Sequence, residues 1–482
     1  MPIHNLLKRF LFISLSIVLT NGCQPPADGH KSSYESVRAM NDQEKTTDFD
    51  VLVNLFRANY GPLEYKQKVF NFNFENFVKS MRNELERAKS NAEIVSVYRK
   101  FITKFQDGHV SLSYGVGVGD SYYLPIQISS AGSSMYISEL LDEKLKDTMN
   151  IEVGDEVLDI DGISKAQALA VIKKYMTYGS DRADQHLISY FSDRRDWMKE
   201  IVPQKPEAVV TLKKKNGDKI QRTLIWKKEE DRNEVKSTFV TSTKVNITDN
   251  AFVETAENSS FFGVPTPFFI NDKTISKYGI QPAAVSKKTL TENKYNNGEK
   301  HEDIEAYIYR YNGKNILLVR QASYADDGYE NALKYYKSLL QQYESMIDVL
   351  IIDQNYNPGG YRAYSTGFAS LFAKQNTRGV VNYFKADRRW LNSFYSTVQA
   401  LKKQKASDEE IARQELNYKT VENALNQGQS VAYVPSVLSG SGGTNILPYD
   451  KNWSFSKPIL LLVNEMSGSG GDVFPMIMKA NV

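Results

Sequence analysis

Two uninterrupted apolar runs constrain the fold of this 482-residue chain more than any other feature. Val349–Asp353 and residues 458–463 each have the pattern of a strand that is apolar on both faces, and helical patterns such as 328–342 lie around them. Strands of this kind are covered on both faces by helices, as in parallel sheets. Residues 303–482 are therefore predicted to form an α/β domain with a largely parallel sheet.

The first half of the chain has other periodicities. Residues 47–106 carry apolar stripes at helical spacing, which predicts a small helical domain over 47–115. Residues 120–226 are rich in strand patterns, with a strong hairpin signal at Asn216-Gly217. Residues 227–302 are polar and aperiodic, and are predicted to be an insertion.

The N-terminus has the pattern of an export signal over residues 1–22, with Lys8 and Arg9 ahead of an apolar run. That run is shorter than the roughly 20 residues that span a bilayer. The only cysteine, Cys23, ends Leu-Thr-Asn-Gly-Cys, which resembles the lipobox of bacterial lipoproteins. We therefore expect a lipidated Cys23, a tether over 23–46, and an exported protein anchored to the cell envelope, in the periplasm or at the outer membrane.

Charge and cysteine content exclude several classes of partner and site. The chain has 60 basic and 57 acidic residues, a net charge of +3. This balance gives no support for a nucleic-acid partner or for membrane binding through a polybasic surface of the protein. A single cysteine forms neither an internal disulfide nor a cysteine-based metal site. No metal or cofactor is predicted, and membrane contact is expected only through the N-terminal lipid.

Ser469 is the candidate nucleophile. It lies between glycines in a turn that follows the second apolar run and precedes an apolar helical pattern. A serine at such a turn can expose its hydroxyl, and N–H groups at the helix start, such as that of Gly470, point at the same space. Acyl transfer needs this combination. Ser467 is a rival nucleophile, and a plain glycine-rich turn is the non-catalytic alternative.

Two further motifs point to the same chemistry. Asn357-Pro-Gly359-Gly360 follows the first apolar run, at the sheet edge where ligands bind in open α/β folds, so either glycine could offer an N–H to the site. His109 lies in a glycine-containing turn at the end of the helical region, and loops often carry catalytic residues. A lone histidine at such a turn can also be structural.

Residues 153–162, Val-Gly-Asp-Glu-Val-Leu-Asp-Ile-Asp-Gly, resemble the strand–turn–strand segment of PDZ domains. PDZ domains bind C-terminal peptide ends as an added strand of their sheet. The resemblance implies a PDZ-like, β-rich domain over 120–226. It also implies protein or peptide substrates that are captured by their C-termini.

The Asn-Pro-Gly-Gly turn, the Ser467-Gly-Ser469-Gly-Gly-Asp turn and the PDZ-like segment upstream together resemble the S41 serine peptidases, which include C-terminal processing and tail-specific proteases and the tricorn core. The Asp-Gly-His109-Val motif is similar to the histidine-bearing turn in the family branch of the chlamydial protease-like activity factor. The resemblance implies a ClpP/crotonase-like α/β core that hydrolyses peptide bonds of exported proteins. It implies Ser469 as nucleophile, His109 as general base, and Gly470 with Gly359 or Gly360 as oxyanion-hole donors.

The chain departs from the family in one respect. The family's third catalytic residue lies further beyond the serine than the 13 residues that follow Ser469 here. Lys479, ten positions along the same helix, would be about 15 Å away. The third residue is therefore expected beyond Val482, with 303–482 C-terminally incomplete, which predicts either a truncated chain or one that has lost activity.

Two alternatives remain beside the peptidase. One is a catalytically inactive S41-fold protein, and another is a PDZ-type lipoprotein that binds peptides or ligands without cleaving them. An α/β-hydrolase is disfavoured, because in that fold the catalytic histidine follows the serine in the chain, and no histidine follows Ser469.

Overall fold

A computed structural model describes residues 40–112, 120–228, 281–282, 304–325, 328–374, 376–435 and 445–481. These residues form two compact units, one up to residue 228 and one from residue 281 onward, and each is described by itself. The expected signal, Cys23, the tether up to residue 39 and nearly all of 227–302 lie outside the described residues. Across those ranges, no helix is both long and apolar enough to cross a membrane.

The first unit begins with four helices. Asn41, Asn73 and Ser90 cap three of them by accepting backbone N–H groups of the first turn. Buried aromatic rings, among them Phe56, Phe101 and Phe105, form the core between the helices. The helices are α1 (Asp42–Asn59), α2 (Leu63–Val69), α3 (Phe74–Arg87) and α4 (Asn91–Thr103).

A five-stranded antiparallel path follows in the order β2-β3-β4-β7-β8, with β5 paired to β4. The hairpin predicted at Asn216-Gly217 joins β7 to β8, and Gly217 has a φ of +92°. These elements are β2 (Ile126–Ala131), β3 (Ser134–Leu140), α5 (Lys144–Met149), β4 (Glu156–Ile160), β5 (Ile163–Ser164), α6 (Lys165–Ile172), the 3₁₀ helix Ala183–Phe191, β7 (Glu207–Lys213) and β8 (Lys219–Ile225).

Residues 121–131 form two successive strands that belong to different sheets. Pro125 has no N–H to donate to a sheet, and the chain changes sheets there. Before Pro125, β1 (Ser121–Tyr123) pairs with β6 (Asp193–Arg195) and β9 (Lys227–Lys228) in a separate small sheet. After it, β2 starts the larger sheet.

The second unit is built on a sheet of order β10-β11-β12-β13-β16. Its strands are β10 (Gln281–Pro282), β11 (Ile304–Tyr311), β12 (Lys314–Gln321), β13 (Val349–Asp353) and β16 (Ile459–Leu462). Helices α7 (Tyr329–Tyr343), α8 (Arg362–Ser370) and α11 (Gly470–Asn481) share its apolar core, and a short 3₁₀ helix, Glu344–Met346, follows α7.

The sheet differs in two respects from the largely parallel, fully buried one that the apolar runs predict. Strands β12, β13 and β16 are parallel, but β11 runs antiparallel to both of its neighbours. Asn312-Gly313, both at positive φ, joins β11 to β12, and a two-residue turn can connect only antiparallel strands. Leu460 in β16 is 51% exposed, and the other residues of that strand are only partly buried.

A helical and β-ribbon segment is inserted between α8 and β16. Its helix pair begins at the cap residue Asp387. Phe394, Val421 and Val434 belong to a small core of its own. The elements are β14 (Val381–Lys385), α9 (Arg388–Lys403), α10 (Asp408–Asn426) and β15 (Val431–Pro435).

Candidate active site

Two loops leave the same edge of the second unit's sheet. Strands β13 and β16 are parallel neighbours and end in register, with Asp353 beside Leu462. The Gly468 N–H donates to the Asn357 carbonyl at 3.0 Å, and the Tyr356 N–H donates to Asn464 Oδ1 at 2.8 Å. The loops of residues 354–361 and 463–469 are thus hydrogen-bonded to each other where ligands bind in open α/β sheets.

Ser469 immediately precedes helix α11 and has a φ of +53°. Its carbonyl accepts the N–H groups of Asp472 and Val473 at 3.0 and 3.1 Å, so the residue is fixed to the first turn of the helix. The residue as a whole is partly exposed. Left-handed backbone is costly for a residue other than glycine and is concentrated at functional sites. The turn therefore presents a serine hydroxyl on a strained backbone at a strand-to-helix junction.

Ser467, the rival nucleophile, is in a different environment. It is only 9% exposed, and its Oγ donates to the Gln354 carbonyl at 2.8 Å. The same oxygen accepts the Asn464 N–H at 3.4 Å. Its hydroxyl is therefore committed to joining the two loops.

Gly359 and Gly360 lie too close to neighbouring backbone for any side chain. A Cβ on Gly359 would be 2.6 Å from both the Ser469 Cβ and the Gly470 nitrogen, and a Cβ on Gly360 would be 2.1 Å from the Tyr324 carbonyl carbon. Both have positive φ, +98° and +135°. Gly360 is held next to Tyr324, whose N–H donates to the Gly359 carbonyl at 2.7 Å. Only glycine lets these chain segments approach the serine turn.

The two glycines differ in what their N–H groups do. The Gly359 N–H donates to Asn357 Oδ1 at 2.8 Å. Among the hydrogen bonds of the described residues, none uses the N–H of Gly360 or of Gly470. The Gly360 nitrogen lies 3.3 Å from the point that a Cβ on Gly470 would occupy. Two uncommitted N–H groups therefore lie together beside Ser469.

Asn357 is a structural residue of the site to which sequence analysis gave no role. It is fully buried, and its Nδ2 donates to the Gln321 carbonyl at 3.0 Å while its Oδ1 accepts from Gly359. Its own carbonyl accepts from Gly468. One residue thus holds the glycine loop, the serine loop and the end of β12. Its place before Pro-Gly-Gly at the end of an apolar strand was the signal that could have identified it.

Asp353 ends β13 beneath these loops. It is 1% exposed, and its Oδ1 lies 3.5 Å from Arg320 Nη1 and accepts the Asn355 N–H at 3.0 Å. Burial raises the pKa of the Asp353 carboxyl, and the Arg320 charge acts in the opposite direction. Arg320 also donates to the Asp353 carbonyl at 3.1 Å, which fixes the ends of adjacent strands.

His109 belongs to the first unit, in the turn after α4, and its side chain is 55% exposed. Its Nδ1 lies 3.9 Å from Asp107 Oδ1, which also accepts the His109 backbone N–H at 3.0 Å. Asp107 Oδ2 accepts the Tyr60 hydroxyl at 2.7 Å. Burial, and then the charge of Asp107, raise the pKa of Tyr60, so Tyr60 stays a hydrogen-bond donor. Asp107 was the second residue missed, although it stands within the quoted Asp-Gly-His motif.

The second unit thus brings together Ser469, Gly470, Gly359 and Gly360. His109 lies in the other unit, and its pairing with Ser469 stays a prediction. Within the described ranges, no group of three or more His, Cys, Asp or Glu side chains is placed to hold a metal ion.

Comparisons with known proteins agree with this architecture. Residues 120–235 match the model of the PDZ domain, and residues 315–482 match that of peptidase family S41. The structure of mature CPAF complexed with lactacystin is similar over 91% of this chain and 83% of its own, with a TM-score of 0.62 and 16% identity. The crystal structure of mature CPAF is similar over 91% of this chain and 82% of its own, with a TM-score of 0.63 and 16% identity. No curated protein matches the chain in sequence.

At that identity the likeness to CPAF concerns the fold. It confirms the predicted fold class, an α/β core preceded by a helical region and a PDZ domain. The chain therefore carries a PDZ domain, and its residues 315–482 belong to peptidase family S41.

Proposed function

We propose that the protein is a serine endopeptidase that hydrolyses peptide bonds of exported proteins, with Ser469 as nucleophile. Membership of residues 315–482 in a peptidase family supports hydrolysis of peptide bonds. One observation carries the assignment of the serine. Ser469 is a partly exposed residue on a strained turn beside two uncommitted N–H groups, whereas Ser467 is buried and hydrogen-bonded.

In the proposed reaction, Ser469 Oγ attacks the carbonyl carbon of the peptide bond while His109 accepts the serine proton. The carbonyl oxygen becomes an oxyanion and accepts hydrogen bonds from two N–H groups. His109 returns the proton to the leaving amine, and an acyl-enzyme forms. A water molecule then attacks the ester with His109 again as base, which releases the acid and restores Ser469.

The hydrogen bonds of the glycine loop support one choice of donors for the oxyanion. The Gly359 N–H is bound to Asn357, and this bond would have to break before Gly359 could donate to a substrate. We therefore assign the oxyanion hole to the N–H groups of Gly360 and Gly470. Gly359 has a steric role, because its missing side chain makes room for Ser469.

Asp107 is proposed as the positioning residue of His109, a role that sequence analysis assigns to a third residue expected beyond Val482. A carboxylate beside Nδ1 favours the tautomer whose Nε2 can accept a proton, and it stabilises the imidazolium that forms. Asp107 is itself held by the Tyr60 hydroxyl and by the backbone of its own turn. Closing the 3.9 Å gap between Oδ1 and Nδ1 needs only a small adjustment of an exposed side chain.

Cleavage of an unfolded, fluorescently labelled protein tests the proposal. We expect Ser469→Ala and His109→Ala to abolish cleavage, and Ser467→Ala to retain it at a reduced rate because a loop contact is lost. Circular dichroism checks that each variant folds. Cleavage by folded Ser469→Ala protein would refute the assignment.

A non-catalytic peptide-binding protein is the second candidate, and the PDZ domain favours it. It predicts that peptides bind while the parent protein, like Ser469→Ala, cleaves nothing.

The expected location is also a proposal. The lipobox-like sequence at Cys23 supports lipid anchoring at the cell envelope. Metabolic labelling with an alkyne fatty acid should mark the parent protein but not Cys23→Ala. Unmodified Cys23 in mature protein would contradict the anchor.

A further inference from the structure

The edge strand of the PDZ sheet carries a feature that concerns substrate capture. PDZ domains bind a peptide by adding it as a strand to an exposed sheet edge, with pockets for alternate side chains. In this sheet β2 lies at one end of the strand order, and its apolar side chains share a core with helix α6. We call the surface formed by the free side of β2 and by α6 the β2–α6 site.

A segment of the chain itself lies against this site. The 3₁₀ helix Ala183–Phe191, which follows α6, packs against both β2 and α6. Its Leu187, Ile188 and Phe191 are fully buried in the same apolar cluster as Ile126 and Ile128 of β2 and Ala168, Leu169 and Ile172 of α6. Apolar side chains of the segment are therefore buried against both elements of the β2–α6 site.

The backbone immediately before β2 is engaged as well. The Leu124 N–H, two residues before β2, donates to the Ser192 carbonyl at 2.9 Å, and the next residues pair as strands, with Tyr123 beside Asp193. PDZ domains capture the terminal carboxylate of a peptide with backbone N–H groups. The Ser192 carbonyl therefore already accepts a backbone N–H immediately before β2.

Buried polar contacts anchor the segment at both ends. Asp184 is 2% exposed and accepts the Tyr178 N–H at 2.6 Å and the Thr177 hydroxyl at 3.1 Å. At the other end, Arg194 Nε donates to the Phe191 carbonyl at 3.1 Å, and Arg194 Nη1 donates to that of Ile201 at 2.8 Å. The segment is thus fixed at its two ends as well as by its apolar side chains.

We propose that residues 183–192 are an intramolecular ligand that closes the β2–α6 site, so that a peptide with an apolar C-terminal residue and a free carboxylate binds there only when this segment is displaced. The PDZ domain would then be self-inhibited, and C-terminal capture of substrates would depend on release of the segment. The inference concerns peptide binding and stands apart from the catalytic role of Ser469.

Binding is measured by fluorescence anisotropy with a labelled decapeptide that ends in valine, using the full chain with Ser469→Ala so that nothing is cleaved. Leu187→Ala removes an apolar contact of the segment, and Asp184→Ala removes an anchor. We expect both to tighten binding at least about tenfold, because apparent affinity rises with the fraction of open sites. Gln185→Ala, in the half-exposed part of the same segment, is the matched control and should change nothing. The same peptide with a C-terminal amide should bind weakly to every variant.

Hydrogen exchange on the Ser469→Ala protein gives a second readout that does not depend on how the segment variants fold. At high peptide concentration, exchange should rise in residues 183–192 and fall in β2. Tight binding with unchanged exchange in 183–192 would overturn the proposal. Folded Leu187→Ala and Asp184→Ala proteins that gain no affinity would overturn it too, since the segment would then be an ordinary part of the core. Loss of proteolysis in Ser469→Ala tests the proposed catalysis separately.

Discussion

Gly359 and Ser469 approach so closely that a Cβ on the glycine would lie 2.6 Å from the Cβ of the serine. The two residues are 110 positions apart in sequence and belong to the loops that follow β13 and β16. The glycine loop therefore forms one wall of the serine turn, and any side chain at position 359 displaces the proposed nucleophile.

Gly359→Ala should abolish activity. The added methyl group meets the Ser469 Cβ, the Gly470 nitrogen and the Gly468 carbonyl oxygen, all within 2.7 Å, and backbone cannot yield as a flexible side chain can. Gly313→Ala is the matched control, because Gly313 also has positive φ but a Cβ there has open space. The rate of cleavage and the melting temperature of both variants test this. Equal losses of cleavage rate in Gly359→Ala and Gly313→Ala would show that backbone strain, and not the contact with Ser469, is responsible.

Asn357→Leu should lower kcat much more than it raises KM. The substitution leaves the Gly359 N–H and the Gln321 carbonyl unpaired in a buried site, at a cost of about 1–3 kcal/mol for each group. Freed from Asn357, the glycine loop no longer holds the Gly360 N–H in place. Asn392→Leu, on the exposed face of α9, is the control. An unchanged kcat in Asn357→Leu would show that Asn357 does not hold the glycine loop in its active position.

Asp107→Asn should lower kcat by at least about tenfold with KM nearly unchanged, because the amide orients the imidazole less well and does not stabilise its charge. Tyr60→Phe removes the hydroxyl that donates a hydrogen bond to Asp107, and it should lower kcat by a smaller factor. Asp107→Glu should restore part of the rate. Asp181→Asn, at a side chain that is 85% exposed, should behave as the parent. A parent-like pH–rate profile and kcat in Asp107→Asn would show that Asp107 is not a positioning residue.

Asp48→Asn should stabilise the helical region at neutral pH. Burial raises the pKa of Asp48 to about 6, while the Tyr98 hydroxyl acts in the opposite direction. Because the folded-state pKa is raised, the contribution of Asp48 to stability is fully present below its ordinary pKa of 3.8 and is lost as pH rises through about 6. Each pKa unit corresponds to about 1.4 kcal/mol. The melting temperature of Asp48→Asn should therefore match the parent's near pH 4 and exceed it at pH 7.5.

Asp42→Asn provides a control of opposite sign. The exposed Asp42 carboxylate pairs with Lys45, which lowers the pKa of Asp42. Its contribution to stability is present at neutral pH and lost in acid, so Asp42→Asn should be less stable than the parent at pH 7.5. A gain from Asp48→Asn that is equal at both pH values would contradict the proposed cause.

Local patterns were sufficient to predict much of the fold. The apolar runs at β13 and β16, the turn at Gly217 and the serine turn before α11 depend on neighbouring residues only, and such patterns can be read from sequence. The antiparallel β11 was missed, although Asn312-Gly313 is an equally local signal.

The difference in hydrogen bonding between neighbouring residues of the site could not be predicted in the same way. Ser467 and Ser469 have nearly identical neighbours in sequence. Only the Ser467 hydroxyl donates to the Gln354 carbonyl, which lies 113 positions away in the chain. Gly359 and Gly360 are likewise adjacent, and the side chain of Asn357 decides which N–H is uncommitted. Both outcomes depend on contacts between separate loops, which residue spacing does not contain.

The central claim is that Ser469 is the activated nucleophile, and covalent labelling tests it most directly. The parent protein is treated with a biotinylated fluorophosphonate, digested and mapped by mass spectrometry, because such probes modify activated serines. We expect one adduct, on Ser469, that persists in Ser467→Ala and disappears in His109→Ala. An adduct on Ser467 or on another serine, with Ser469 unmodified, would contradict the account.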